Sequence, residues 1–180
     1  MPEVEIRPIV NADVPVLMEF NLSYSSSHVW QLDRLSDDGV LRSNFREVRL
    51  PREMKVEYPR TTANILADLQ NSNQVILVAV VNNIPVGLIR ISDQVAPRTG
   101  WVKDWAVQDS VRRKGVGSAL LLAALEWSLE EGFNRTVLEV QSKNYPAIKL
   151  ARKLGFEFAG FHDQYYSNQD IVLFFARSLR

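Results

Sequence analysis

Three consecutive cations, Arg112, Arg113 and Lys114, run into Gly115, Val116, Gly117 and Ser118 where an apolar helical pattern begins. A helix start leaves its first N–H groups unpaired and carries the positive end of the dipole, so it favours Asp and Glu over Lys and Arg. Each cation there costs on the order of a few tenths of a kcal/mol. Gly115 and Gly117 each lower helix propensity by roughly 1 kcal/mol relative to alanine. Two local rules broken side by side suggest a site, and a bound phosphate resolves both. Small residues let it approach the backbone, N–H groups cradle it, and the cations neutralise it. The competing reading is a solvated basic loop before a glycine-relaxed helix. Two other phosphate motifs do not fit. A dinucleotide fingerprint needs Gly or Ala where Leu120 stands, and a P-loop needs its lysine after the glycine, whereas Lys114 precedes Gly115.

The elements that would carry this loop can be traced by pattern. Positions 74–81 and 84–92 are β-branched runs joined by Asn82 and Asn83, which tolerate positive φ and read as a hairpin turn. A third strand covers 101–107, and a strongly apolar helix covers 115–131, stopped by Gly132. A strand over 136–141 and a helix over 145–154, ended by Gly155, follow. Strands over 156–161 and 171–176 close the chain. Upstream, 4–8 reads as an edge strand, and Asn11 or Asp13 can cap a helix reaching about Leu22. Between Ser23 and Pro59 no clean periodicity survives, and the expectation is a variable loop region with one or two short elements. A helix over 61–69 precedes the first hairpin. The order predicts one mixed-sheet α/β domain over 1–180.

The chain has 180 residues, with 21 basic and 21 acidic side chains, so it lacks the basic excess of a nucleic-acid binder. It has no cysteine, hence no disulfide, thiolate metal site or cysteine nucleophile. His28 and His162 are isolated from metal-ligand spacing, so no metal is expected. The first residues lack the pattern of a signal peptide, and the apolar run at 116–125 is far shorter than a membrane span. These features predict a cytoplasmic protein without membrane or nucleic-acid partners. The tryptophans Trp30, Trp101 and Trp105 could line an acceptor pocket, with core packing as the alternative for each.

The motif Arg112-x-x-Gly115-x-Gly117 resembles the acyl-CoA loop of the GNAT acetyltransferases. A second block, Leu138-Glu139-Val140-x-x-x-Asn144-x-x-Ala147-x-x-Leu150-x-x-x-Leu154-Gly155-Phe156, is similar to the later strand and helix of that family. The two lie in the family's order and separation. The likeness covers about 75–176; before it only Ile6-Arg7-Pro8 matches. Within the family, the ribosomal-protein alanine and streptothricin acetyltransferases look nearest.

The resemblance implies a GNAT fold: an α/β domain whose central, mixed but mostly antiparallel twisted sheet has splayed parallel central strands and is flanked by helices. It implies acetyl-CoA as cosubstrate and a primary amine, on a protein, peptide or small molecule, as acceptor. The pyrophosphate would sit on the N–H groups of Arg113, Lys114, Gly115, Val116, Gly117 and Ser118. The pantetheine arm would pair with Trp105, Ala106 and Val107, and Asn144 would contact it from the other side or serve as a helix cap. Glu139 stands where the alanine branch has its general base, with a solvated or salt-bridged carboxylate as the alternative. Asp104 is the second candidate. At Ala151 the family has a general-acid tyrosine, so that role is vacant, and Tyr165 or Tyr166 could substitute. The vacancy keeps open a catalytically silent acyl-CoA-binding regulatory module; a structural subunit that has lost the cofactor fits less well. A homodimer is left open.

Overall fold

The computed structural model describes residues 3–67, 69 and 73–179. β4 (Gln74–Val81) and β5 (Ile84–Ser92) form the expected hairpin, and Asn82 and Asn83 both have positive φ, 49° and 64°. Two left-handed residues match the twist of the flanking strands, which is why asparagine serves there. β1 (Glu5–Pro8) pairs antiparallel with β4, and β6 (Thr99–Val107) pairs antiparallel with β5. The helix α3 (Val116–Glu130) then carries the chain over to β7 (Arg135–Gln141), which is parallel to β6. After α4 (Tyr145–Lys153) come β8 (Glu157–His162) at the sheet edge and β9 (Val172–Ser178), inserted between β7 and β8. The order is β1-β4-β5-β6-β7-β9-β8, with β6 and β7 the parallel pair.

Both faces of this sheet are covered, so its inner strands read as continuous apolar runs rather than alternating ones. Leu120, Leu121, Ala124 and Ile148 from α3 and α4 pack on Leu77, Ala79, Val102 and Leu138. On the opposite face Leu17 and Ile65 pack on Val78, Val80, Leu88 and Ala106. Leu17 and Ile65 belong to α1 (Val14–Met18) and α2 (Thr62–Leu66). Thr61 caps α2 by accepting the Asn64 N–H. Both helices are shorter than expected; for α2, position 68 of the expected span lies outside the described residues. Asp13 is held by Arg7 at 2.7 and 2.9 Å, and the helix it introduces stops at Met18 instead of near Leu22.

The largest departure lies between Ser23 and Pro59. Instead of a loop region, the chain forms a long hairpin, β2 (Tyr24–Asp37) with β3 (Val40–Val56), a separate two-stranded sheet. Asp38 and Gly39 turn it with φ of 44° and 77°. Most of β3 is exposed, so no apolar alternation marked it. The base is fastened by the Trp30 N–H donating to the Ser142 carbonyl, and by the Trp30 ring against Phe45, Phe158 and Phe175.

One feature of the sheet positions the candidate site. The ladder between β6 and β7 runs only from Thr99 opposite Arg135 to Val102 opposite Leu138, although both strands continue. Past that pair no ladder joins them. A gap at the carboxyl ends of parallel strands is where α/β sheets bind ligands.

Candidate active site

The loop after β6 turns sharply enough to need two left-handed residues, Arg113 at φ 65° and Gly115 at φ 87°. Gly115 is the N-cap of α3, and a Cβ built there meets nothing within 4 Å. The first ladder bond of the helix is Ala119 N–H to the Gly115 carbonyl. The N–H groups of Val116, Gly117 and Ser118 therefore precede the intrahelical ladder and are available to an anion. Arg113, Lys114 and Gly115 are exposed beside them. This open, positive-φ cradle fits a phosphate.

Arg112 does something else. Its guanidinium donates to three backbone carbonyls: Val107 at 2.9 Å, Ser23 at 2.8 Å and Asn21 at 3.2 Å. Burial lowers its pKa, and Asp109 opposes that in part. Arg112 thus ties the loop to the segment that enters β2, and the cations left facing solvent are Arg113 and Lys114. It was expected to neutralise phosphate; the geometry makes it a brace.

Along β6 the backbone groups of Trp105 and Val107 point to the β7 side: the Trp105 N–H donates to the Tyr58 hydroxyl, and the Val107 carbonyl accepts from Arg112. Ala106 alternates with them and faces β5, opposite Leu88. Of the three residues expected to pair with a pantetheine arm, Trp105 and Val107 present that edge and Ala106 does not. Across the gap Asn144 caps α4, its Oδ1 accepting the Ala147 N–H at 3.2 Å. The side-chain amide nitrogen takes no part in that cap.

The carboxylates meet at the end of the ladder. Glu139 is 9% exposed and receives three donors: Trp101 Nε1 at 2.7 Å, Tyr165 Oη at 3.0 Å and Arg60 Nη2 at 3.1 Å. Asp104 is 1% exposed, with Oδ2 taken by Arg90 at 2.6 Å and Oδ1 by Tyr58 and Arg60 at 3.0 and 3.2 Å. Those contacts fit an anchor for two guanidinium groups better than a base. Burial and then Glu139 push the Tyr165 phenol up, and the same two causes, in that order, act on the buried Tyr166. Tyr166 lies against the Arg60 guanidinium, 5.3 Å from the ring centroid.

Arg60, Tyr58 and Arg90 had no place in the reading of the sequence. Arg60 and Tyr58 sit in an unpatterned connection, and Arg90 lies inside an apolar strand; a buried arginine needs a carboxylate, and Asp104 two positions beyond Val102 was the available signal. Ala151 has no exposure and belongs to the core cluster with Ile148, Phe156 and Leu173. Among the described residues no group of three side chains could hold a metal ion, and no helix is long and apolar enough to cross a membrane.

Comparison with known proteins defines the class. The model of the acetyltransferase (GNAT) family matches residues 41–156, and the chain belongs to that family. It is 37% identical over 84 residues to an N-alpha-acetyltransferase of Saccharolobus solfataricus, 46% of this chain and 50% of the relative. To streptothricin acetyltransferase A of Bacillus subtilis it is 34% identical over 93 residues, 49% of this chain and 50% of the relative. The matches thus span half the length of these curated relatives. A crystal structure of nourseothricin acetyltransferase superposes with a TM-score of 0.82 at 24% identity, covering 98% of this chain and 99% of that one, and shares the fold.

Proposed function

We propose that this chain transfers the acetyl group of acetyl-CoA to a primary amine by direct attack in a ternary complex, within one acetyltransferase domain. The observation that carries the reading is the left-handed Gly115 opening α3 beside the unpaired end of β6. A Bacillus anthracis protein described as a streptothricin acetyltransferase, of the same fold with a TM-score of 0.75, is known in complex with acetyl coenzyme A, which supports the cosubstrate. The names of the curated relatives support an amine acceptor.

In this reading the N–H groups of Val116, Gly117 and Ser118 hold the pyrophosphate, Arg113 and Lys114 screen it, and the β7-facing edge of Trp105 and Val107 receives the pantetheine arm. Asn144 bounds the arm from α4. An attacking amine must be neutral, while a lysine amine with a pKa of about 10.4 is almost wholly protonated at neutral pH. Glu139 accepts that proton, directly or through water. The amine nitrogen bonds to the thioester carbon, the Val107 N–H steadies the oxyanion, and the carbon–sulfur bond breaks. The thiolate, from a thiol with a pKa of about 8.5, leaves without a dedicated acid and takes its proton from solvent.

Calorimetry with acetyl-CoA and free-thiol detection over a panel of primary amines test this together. Saturable binding that weakens with salt, and thiol release with at least one amine, are expected. Absence of saturable binding contradicts the cosubstrate; binding without release on any amine leaves a silent acyl-CoA module.

A further inference from the structure

The connection between β3 and α2 does more than join them. Where the β6–β7 ladder stops, Arg60 bridges the two strands: Nη1 donates to the Lys103 carbonyl at 3.0 Å and to Asp104, and Nη2 donates to Glu139. Tyr58 lies next to it, donating to Asp104 and accepting the Trp105 N–H. Side chains from one loop thus replace the missing backbone ladder between the two strands.

Asp104 does not need Arg60 for charge balance, because Arg90 already pairs with it through Nε and Nη2. Glu139 is in the opposite position. Its other donors, Trp101 and Tyr165, are neutral, and Arg60 is the cation paired with it among the described residues. Burial works against the charge on Arg60, but Asp104 and then Glu139 outweigh it and hold the guanidinium firmly protonated. The Tyr166 ring lies against the guanidinium. Arg60 is therefore held on the Asp104 side by contacts that do not involve Glu139.

We propose that Arg60 is the positioning residue of this site, holding the Glu139 carboxylate in place through a direct ion pair. The assignment rests on the acetyltransferase reading for its catalytic meaning, though not for its electrostatics. Glu139 is contacted by Arg60 from the loop, Trp101 from β6 and Tyr165 from the connection before β9, with Phe174 opposite it on β9; Asp104 and Tyr166 contact Arg60, and Tyr58 and Arg90 reach Asp104. Of these, Arg60 is the cation in direct contact.

Trp101 provides a reporter that does not depend on turnover. Its indole N–H donates to Glu139, and the chain has four tryptophans, so its indole signal in a proton–nitrogen spectrum is assignable with Trp101→Phe. In the whole protein, the pH titration of that signal is compared in the parent, Arg60→Met and Arg60→Lys. Removing the cation makes proton uptake by the carboxylate easier, so the midpoint in Arg60→Met should lie above that of the parent. In Arg60→Lys it should rise part of the way, and the acid limb of the kcat profile should follow the same order while the KM for acetyl-CoA holds. A midpoint that stays at the parent value in Arg60→Met overturns the proposal. Should that variant fail to fold, an unmoved midpoint in Arg60→Gln, which also removes the charge, does the same. If the midpoint rises and the parent acetylates no amine, the acetyltransferase reading fails and the assignment of Arg60 as the counter-charge of Glu139 stands.

Discussion

Trp105 Nε1–H donates to the carbonyl oxygen of Gly117 at 3.2 Å, tying the strand that borders the gap to the first turn of the helix beyond it. A Cβ at Gly117 would meet Leu150 at 3.4 Å, Trp105 at 3.6 Å and Val107 at 3.7 Å, all ordinary contacts. Space at Gly117 therefore ends one carbon out. Gly117→Ala should bind acetyl-CoA within about threefold of the parent, a change under 1 kcal/mol. Gly117→Glu adds both bulk and a negative charge at the cradle and should abolish measurable binding. Calorimetry on the three proteins checks this, and equal affinity in all three would remove Gly117 from the cosubstrate site.

A pH prediction follows from three phenols. Burial first, and then nearby carboxylates, push Tyr24, Tyr58 and Tyr166 above the ordinary value near 10.0: Asp170 acts on Tyr24, Asp104 on Tyr58 and Glu139 on Tyr166. A raised pKa in the folded state means the unfolded chain releases these protons first as pH rises. Their contribution to stability is thus complete below pH 10 and is lost progressively above it. Urea denaturation from pH 8 upward should show a flat region and then a steep fall beginning at about 10. In absorbance titration these tyrosines should ionise with unfolding rather than before it. Ionisation of all five tyrosines near the ordinary value, in folded protein, would contradict their burial.

What the sequence made legible follows from the physics of each part. The strands β4 and β5 were readable because sheets covered on both faces need unbroken apolar runs, and Asn82-Asn83 is turn chemistry visible without a structure. The Gly115–Gly117 loop was readable because it breaks helix-start rules. The β2–β3 hairpin was hidden because much of it stands in solvent and carries no periodic demand; Asp38-Gly39 was its one local signal. Arg60 was hidden for a different reason. Its partners lie 44 and 79 residues away along the chain, and no local pattern records a contact between such distant positions.

Ala151 illustrates how a resemblance and a packed core can pull apart. The family has a tyrosine at this position, yet Ala151 is fully buried beside Ile148 and Phe156. Ala151→Tyr should overpack that cluster, destabilise the protein by about 1–3 kcal/mol and leave kcat no higher. Urea denaturation and steady-state rates test it. Parent-like stability with a raised kcat would show that the site accepts the ring and that a general acid was missing.

Glu139 gives the account its pH signature. Glu139→Gln keeps the shape and loses the proton acceptor, so kcat should fall by roughly 10²–10⁴-fold, most at low pH where the amine is hardest to deprotonate. A pH–rate profile overlaying the parent's would make Glu139 structural.

Acetyl transfer itself is followed with acetyl-CoA labelled with carbon-13 at both acetyl carbons. The whole protein is incubated with it and a panel of primary amines that includes streptothricin-class antibiotics and peptides with free α-amines. The products are then weighed by mass spectrometry. At least one amide carrying both labelled carbons is expected, with free coenzyme A in equal amount and no such product from Gly117→Glu. Label recovered only as free acetate, or unconsumed acetyl-CoA in the presence of every amine, would contradict acetyl transfer to an amine.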